Sequence, residues 1–135
     1  MPQLEEFCRM DLRLAIDMVG KTPAGLRIDF PFQGAATSSH WEGERPVTGV
    51  DYATVRGDGN MALDLHGRIG EGKQVVAYRG MGVSVVPERG VAEPNELLQF
   101  ETADEELAFL NSTIGVAFGR GEGDHLELVV YLVRP

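Results

Sequence analysis

Apolar and polar residues alternate through the first part of the chain: Cys8, Met10, Leu12, Leu14 and Ile16 fall on one side, Arg9, Asp11, Arg13 and Asp17 on the other. A period of two is the signature of a half-buried strand. After the turn Gly20-Lys21-Thr22-Pro23 the pattern resumes, with Leu26, Ile28, Phe30 and Phe32 opposite Arg27 and Asp29. Pro31 has no amide to give to a ladder, so this second strand is expected at an edge or a bulge. Residues 35–49 are less periodic and predict one irregular strand around Ser38 to Glu42, then a loop over Glu44, Arg45 and Pro46.

Three alternating runs follow, Asp51 to Arg56, Met61 to Ile69 and Gln74 to Val86, joined by Gly57-Asp58-Gly59-Asn60 and Gly70-Glu71-Gly72-Lys73. Glycine-rich turns between such runs predict two hairpins. Symmetric closure of both turns sets Asp51 opposite His66 and Asp64 opposite Arg79. Pro87 to Pro94 reads as a loop and Glu96 to Thr102 as a short strand. One helix is expected: Thr102 with Glu105 forms a capping box ahead of Leu107 and Leu110, and Asn111 can take the left-handed position that ends it. Ile114 to Phe118 and Leu126 to Val133 pair through the turn Gly119 to His125.

The expected fold is therefore all-β, a small antiparallel β-barrel of eight to nine strands with one short helix, in a single domain over residues 1–135. Closing a meander into a barrel removes its exposed edges, and barrels of this size can enclose one small ligand. A β-sandwich is the alternative. Composition agrees, because 17 glycines and 7 prolines between short runs leave no long stretch of helical period.

Charge narrows the partners. Twelve Lys and Arg against 21 Asp and Glu give a net charge of -9, which repels phosphate backbones and anionic membranes, so neither nucleic acid nor membrane is expected. The lone Cys8 excludes an internal disulfide and a cysteine-based zinc site, and a reducing cytoplasmic location fits it best. The acidic start, Met1 to Glu6, does not read as a signal peptide, and no apolar run is long enough for a membrane helix.

No motif names a cofactor. Residues 15–22 satisfy a relaxed phosphate-loop spelling, but Pro23 and the strand pattern from Leu26 remove the helix that such a loop needs. His40, His66 and His125 form no close ligand pair, so no metal is expected. There is also no Gly-x-Ser-x-Gly, and Cys8 has no neighbouring histidine in sequence.

What remains is the polar face of the hairpins. Its plain reading is solvent, with Leu63, Leu65 and Ile69 as the core side of the strand and Asp64, His66 and Arg68 outside. The neighbours Ala53, Val55, Ala77, Met81 and Val83 favour a different reading, because a roomy apolar wall with few polar groups is how ligand sites are built. In that case Asp51 beside His66 can move a proton near neutral pH, and Arg79 paired to Asp64 holds a fixed positive charge. The opposite face, Leu63, Leu65, Tyr52 and Tyr78, would then need a second copy to cover it.

Gly25-x-Arg27, Gly34, Gly49-x-Asp51, Arg56-x-Asp58-Gly59, Leu63-Asp64, Arg79-Gly80, Phe100-x-Thr102, Leu110-Asn111 and Val129-x-Tyr131 recur in an order that resembles the domain of unknown function 3237 family, also called the UPF0311 proteins. The resemblance implies a small antiparallel barrel, often dimeric, with no settled activity. It adds Arg27, Asp51, Asp64 and Asn111 to the residues of interest. The chain departs from the family in being shorter, in lacking a Gly-Pro pair near Ser38 to Gly43, and in having Phe109 where a tryptophan often stands.

Three functions are carried forward. The first is a cofactor-independent acid/base enzyme, of isomerase, cyclase, lyase or hydrolase type, acting on a small, partly apolar oxygenated metabolite. Its catalytic residues would be His66, Asp51 and Asp64, and Arg27, Trp41, Arg79 and Asn111 would bind the ligand. The second is a non-catalytic carrier of a hydrophobic ligand, and the third a structural or interaction domain without a pocket. A homodimer is the expected assembly.

Overall fold

In the computed structural model, which describes residues 1–135, the alternating runs become nine antiparallel strands: β1 (Gln3–Leu14), β2 (Asp17–Thr22), β3 (Gly25–Thr37), β4 (Arg45–Val55), β5 (Met61–Ile69), β6 (Val76–Glu88), β7 (Val91–Thr102), β8 (Ile114–Glu122) and β9 (His125–Arg134). Strands β3 to β9 pair in chain order, and β1 pairs with both β9 and β3. Eight strands thus form a closed ring, and β2 lies outside it along the first half of β3. Closure satisfies the backbone of every ring strand from both sides, which an open sheet of this length cannot do.

Pro31 sits where that ring changes partner. Its carbonyl accepts from Ala15 N at 2.8 Å, at the corner between β1, which pairs with β3 from Phe32 onward, and β2, which takes over at Asp29. The missing donor falls at an interruption of the neighbouring strand, so it costs no ladder bond. Pro94 is placed similarly, in the gap of the β7–β8 ladder between Ala92 and Asn95. The strand β7 therefore begins at Val91, five residues before the expected Glu96, and the predicted loop to Pro94 is mostly strand.

Two other boundaries differ. Asp17, expected to continue the first strand, and Gly20 to Thr22, expected in the turn after it, belong to a separate strand β2. The region 38–44 is loop and β4 starts at Arg45, the reverse of the expected order, because Arg45, Pro46 and Val47 pair with Ala36, Ala35 and Gly34. Side chains hold the loop instead of a ladder: the Ser38 hydroxyl donates to the Phe7 carbonyl and the Trp41 indole to the Ala36 carbonyl at 3.2 Å. The helix is a kinked 3₁₀ segment, Glu105–Ser112, capped by Asp104, whose carboxylate accepts from Glu106 N at 3.0 Å. Thr102 caps one step earlier, accepting from Asp104 N. Asn111 is not left-handed; its side-chain amide brackets the Thr102 backbone, accepting from N at 2.8 Å and donating to O at 3.0 Å.

Inward side chains fill the lower part of the ring with Leu12, Val47, Ile69, Val76, Leu98, Phe100 and Leu132. Gly67 belongs to this layer because the Tyr78 ring lies directly over it, where a Cβ would collide with ring carbons. The end that carries the loop 38–44 and the helix is closed by Phe7, Trp41, Leu107, Phe109 and Leu110. The other end is rimmed by the β1–β2 corner and the β4–β5, β6–β7 and β8–β9 turns, and it stays open. No helix is long and apolar enough to cross a membrane.

Candidate functional site

The turn between β4 and β5 decides which polar residues enter the barrel. Arg56 N donates to Asn60 O at 2.8 Å and Gly59 N to Arg56 O at 3.0 Å, with Gly59 at φ 86°. This is a three-residue loop ending in a glycine bulge, an odd closure where a symmetric even one was expected. Asp51 consequently pairs with Leu65, and His66 with Val50. The second turn spans 70–75 and keeps the expected parity, so His66 faces Arg79 and Asp64 faces Met81. The odd closure of this one turn shifts the register by one residue, which sends Asp51 to the inside and leaves the other three outside.

The predicted cluster is therefore split. The side chains of Asp64 and His66 are 70% and 58% exposed, 3.4 Å apart on the outer wall, and Arg79 donates to the Gln99 side chain at 3.2 Å. An Asp51–His66 proton relay is ruled out by this register. Arg27 also points outward, paired to Asp29 at 2.7 Å and stacked over Tyr52 at 5.1 Å. Trp41 closes the far end, with Arg45 over its ring at 4.5 Å, and Asn111 holds the helix to β7. Of the predicted catalytic and ligand-binding residues, only Asp51 enters the open cavity. Leu63, Leu65 and Tyr78 are buried within the ring, so that part of the face expected to require a second copy is covered by the barrel itself, whereas Tyr52 lies on the outer wall beneath Arg27.

That cavity has a volume of about 420 Å³, within the ~300–1,000 Å³ of small-molecule sites. Its walls are Leu14, Phe30, Phe32, Met61, Leu63 and Leu126, and its polar members are Ser84, Glu96, Asp51 and, at the mouth, Arg89. Pairing orders them by depth: Ser84 lies opposite Pro94 near the rim, Glu96 opposite Gly82 one layer in, and Asp51 opposite Leu65 in the layer below. Gly80, Gly82, Ala53 and Ala117 occupy inward positions of these layers. Small side chains there leave the volume unfilled.

The three inner groups are in an unusual electrostatic state. Glu96 is 6% exposed and Ser84 2%, and neither the Asp51 Oδ1 nor the Ser84 hydroxyl has a hydrogen-bond partner. Burial pushes the Glu96 carboxyl up to about 8, with the Asp51 charge adding to it. Burial likewise raises Asp51 to about 7, opposed by the Asp64 backbone amide and reinforced by the Asp64 charge. Loss of water disfavours the ionised form, and two neighbouring acids resist losing both protons. The Tyr78 hydroxyl, whose hydrogen-bond contact is Met10 Sδ at 3.9 Å, is also held protonated by burial. Buried Cys8, pushed up to about 12, is no nucleophile.

Glu96 and Ser84 escaped the sequence reading. Glu96 had a signal, because Pro94, Glu96, Leu98 and Phe100 share one strand face, and an acid in such a row is out of place unless it serves the interior. One group of residues could share a cation: Asp11, His125 and Glu127, on the outer wall of β1 and β9. His125 Nε2 already contacts Asp11 at 2.6 Å, away from the cavity.

A family profile for a protein of unknown function, DUF3237, matches residues 2–133. The chain belongs to the DUF3237 family. Three solved structures share the fold of this DUF3237 protein. A protein of unknown function from Clostridium acetobutylicum superposes with a TM-score of 0.87 at 18% identity, covering 99% of this chain and 98% of its own. A conserved protein of unknown function from Rhodopseudomonas palustris gives 0.84 at 16%, covering 99% of both chains. A β-barrel-like protein from Acinetobacter baumannii gives 0.84 at 18%, covering 99% and 97%. No curated protein matches.

Proposed function

We propose that this barrel binds a small, partly apolar oxygenated molecule in its open cavity and acts on it as a cofactor-independent acid/base enzyme, with Asp51 and Glu96 as the proton-handling pair. The observation that carries the reading is the placement of two carboxyls and an unpartnered hydroxyl in an otherwise apolar cavity. Burying polar groups without partners costs stability, and such costs are tolerated where a ligand supplies the missing contacts. Near neutral pH the pair shares protons. Its ionised member can take a proton from a carbon next to a carbonyl, and its neutral member can donate to the oxygen on which charge develops. His66, Asp64 and Arg79 have no part in this scheme.

Ligands found by thermal-shift screening of a metabolite library in D₂O, followed by proton NMR, test it. Turnover or deuterium uptake at carbon is expected in the wild type and lost in Asp51→Asn and Glu96→Gln. If both variants exchange as fast as the wild type, the catalytic assignment is wrong. A carrier is the second reading, favoured by the predominance of apolar wall. In that case the wild type binds without exchange, and the two variants alter affinity alone.

For assembly we propose a homodimer through the outer faces of β6 to β9. Met81, Leu97, Ile114 and Phe118 are exposed there on adjacent strands. Arg79 borders the patch at one end and Glu93, Arg120 and Glu122 at the other, so a two-fold copy run antiparallel sets Arg79 against acids. Light scattering after gel filtration should give twice the 14.7 kDa chain mass, falling to a monomer in Leu97→Glu. A monomeric wild type overturns this assignment.

A further inference from the structure

We infer that the ligand of this cavity is an amphipathic anion: an apolar body with an uncharged oxygen at its inner end and an oxyanion, carboxylate or phosphate in type, held at the mouth by Arg89. The inference rests on the cavity being the ligand site, as proposed above, and adds which ligand it selects.

Arg89 lies in the short turn between β6 and β7 and is the one cation among the residues that line the cavity. It makes no ion pair and no side-chain hydrogen bond within the protein. Arg9, Arg13, Arg27, Arg56, Arg120 and Arg134 have carboxylate partners, Arg79 donates to Gln99 and Arg45 stacks on Trp41, and Arg68, which like Arg89 pairs with nothing, stands exposed on β5 away from the cavity. The acids of the adjoining turns are also engaged: Asp58 is held by Arg56 and Asp124 by Arg13. An unpaired guanidinium beside an apolar opening presents its forked donors to an incoming oxyanion.

The interior is unsuited to that anion. Its polar groups are Ser84, Glu96 and Asp51, with no lysine or arginine among them, so a ligand charge placed there would meet acids instead of a counter-ion. The inner end of the ligand is therefore uncharged and accepts or donates through oxygen. Ser84 and Glu88 are four residue steps apart on β6, which at ~3.3 Å each and a strand tilt of ~35–45° sets the mouth about 10 Å above Ser84, the shallowest of the inner polar groups. That matches the span of two fused rings or a medium-length chain.

Two fluorescent probes that share one apolar body separate the terms: 8-anilinonaphthalene-1-sulfonate, which is anionic, and N-phenyl-1-naphthylamine, which is uncharged. At low salt the sulfonate should bind about five-fold tighter. Arg89→Gln should remove that preference and leave the uncharged probe within about two-fold, and high salt should do the same. Ser84→Phe, which fills the cavity, should lose both probes while keeping the wild-type far-ultraviolet spectrum. A sulfonate that binds no tighter than the uncharged probe, or a preference unchanged in Arg89→Gln, overturns the inference and leaves the cavity site standing. If neither probe binds, or Ser84→Phe keeps both, the cavity reading fails and the inference with it.

Discussion

Replacing Glu96 by glutamine should make the protein less sensitive to rising pH. In the unfolded chain Glu96 gives up its proton near 4.5, whereas in the fold burial and the Asp51 charge hold it to about 8. Between those values the folded state binds more protons than the unfolded one, so stability falls as pH rises. The contribution is complete below pH 4.5 and gone above about 8. At about 1.4 kcal/mol per pH unit the interval gives an upper bound of about 5 kcal/mol, and relaxation around the buried charge reduces it to about 2–3. Urea denaturation of the wild type and Glu96→Gln at each unit from pH 5 to 9 measures it. Subtracting the two curves cancels the growing repulsion of an acidic chain. The variant should gain about 2–3 kcal/mol on the wild type between pH 5 and 8. A difference that stays constant to within about 0.5 kcal/mol would show that Glu96 is not held protonated by the fold.

The outer-wall residues and the packing devices give three further expectations. His66→Ala and Asp64→Asn should each change stability by less than about 0.5 kcal/mol and leave probe binding intact, because both side chains stand in solvent; loss of binding in either would place them in the site. Gly67→Ala drives a methyl into the Tyr78 ring and should cost about 1–3 kcal/mol in chemical denaturation, and a neutral result would mean the ring shifts freely. Asn111→Ala removes both amide contacts with the Thr102 backbone. It should cost about 1–2 kcal/mol and raise amide exchange in residues 105–112 before the rest of the barrel, whereas uniform exchange would deny Asn111 its local role.

The sequence by itself determined the fold class. A period of two in run after run, broken by glycine and proline, admits little but antiparallel strands, and the ordered motifs from Gly25 to Tyr131 point to the family whose profile matches the chain. Alternation is local: it depends on residues a few positions apart and survives any error in pairing. Asp51 could likewise be singled out, as an acid in a strand of otherwise mostly uncharged residues.

Its surroundings could not. Which residues faced Asp51 depended on the parity of one turn, and the odd loop that closes at Gly59, in a left-handed conformation, shifted the register by one residue and left His66, Asp64 and Arg79 on the outer wall. Side chains alternate with a period of two, so an error of one residue inverts a face completely. Ring closure then brought β7 into the same space, setting Glu96 near Asp51 although 45 positions separate them. No local pattern encodes that approach. The alternation of the chain specified the strands, and the closed barrel alone determined that two acids share one cavity.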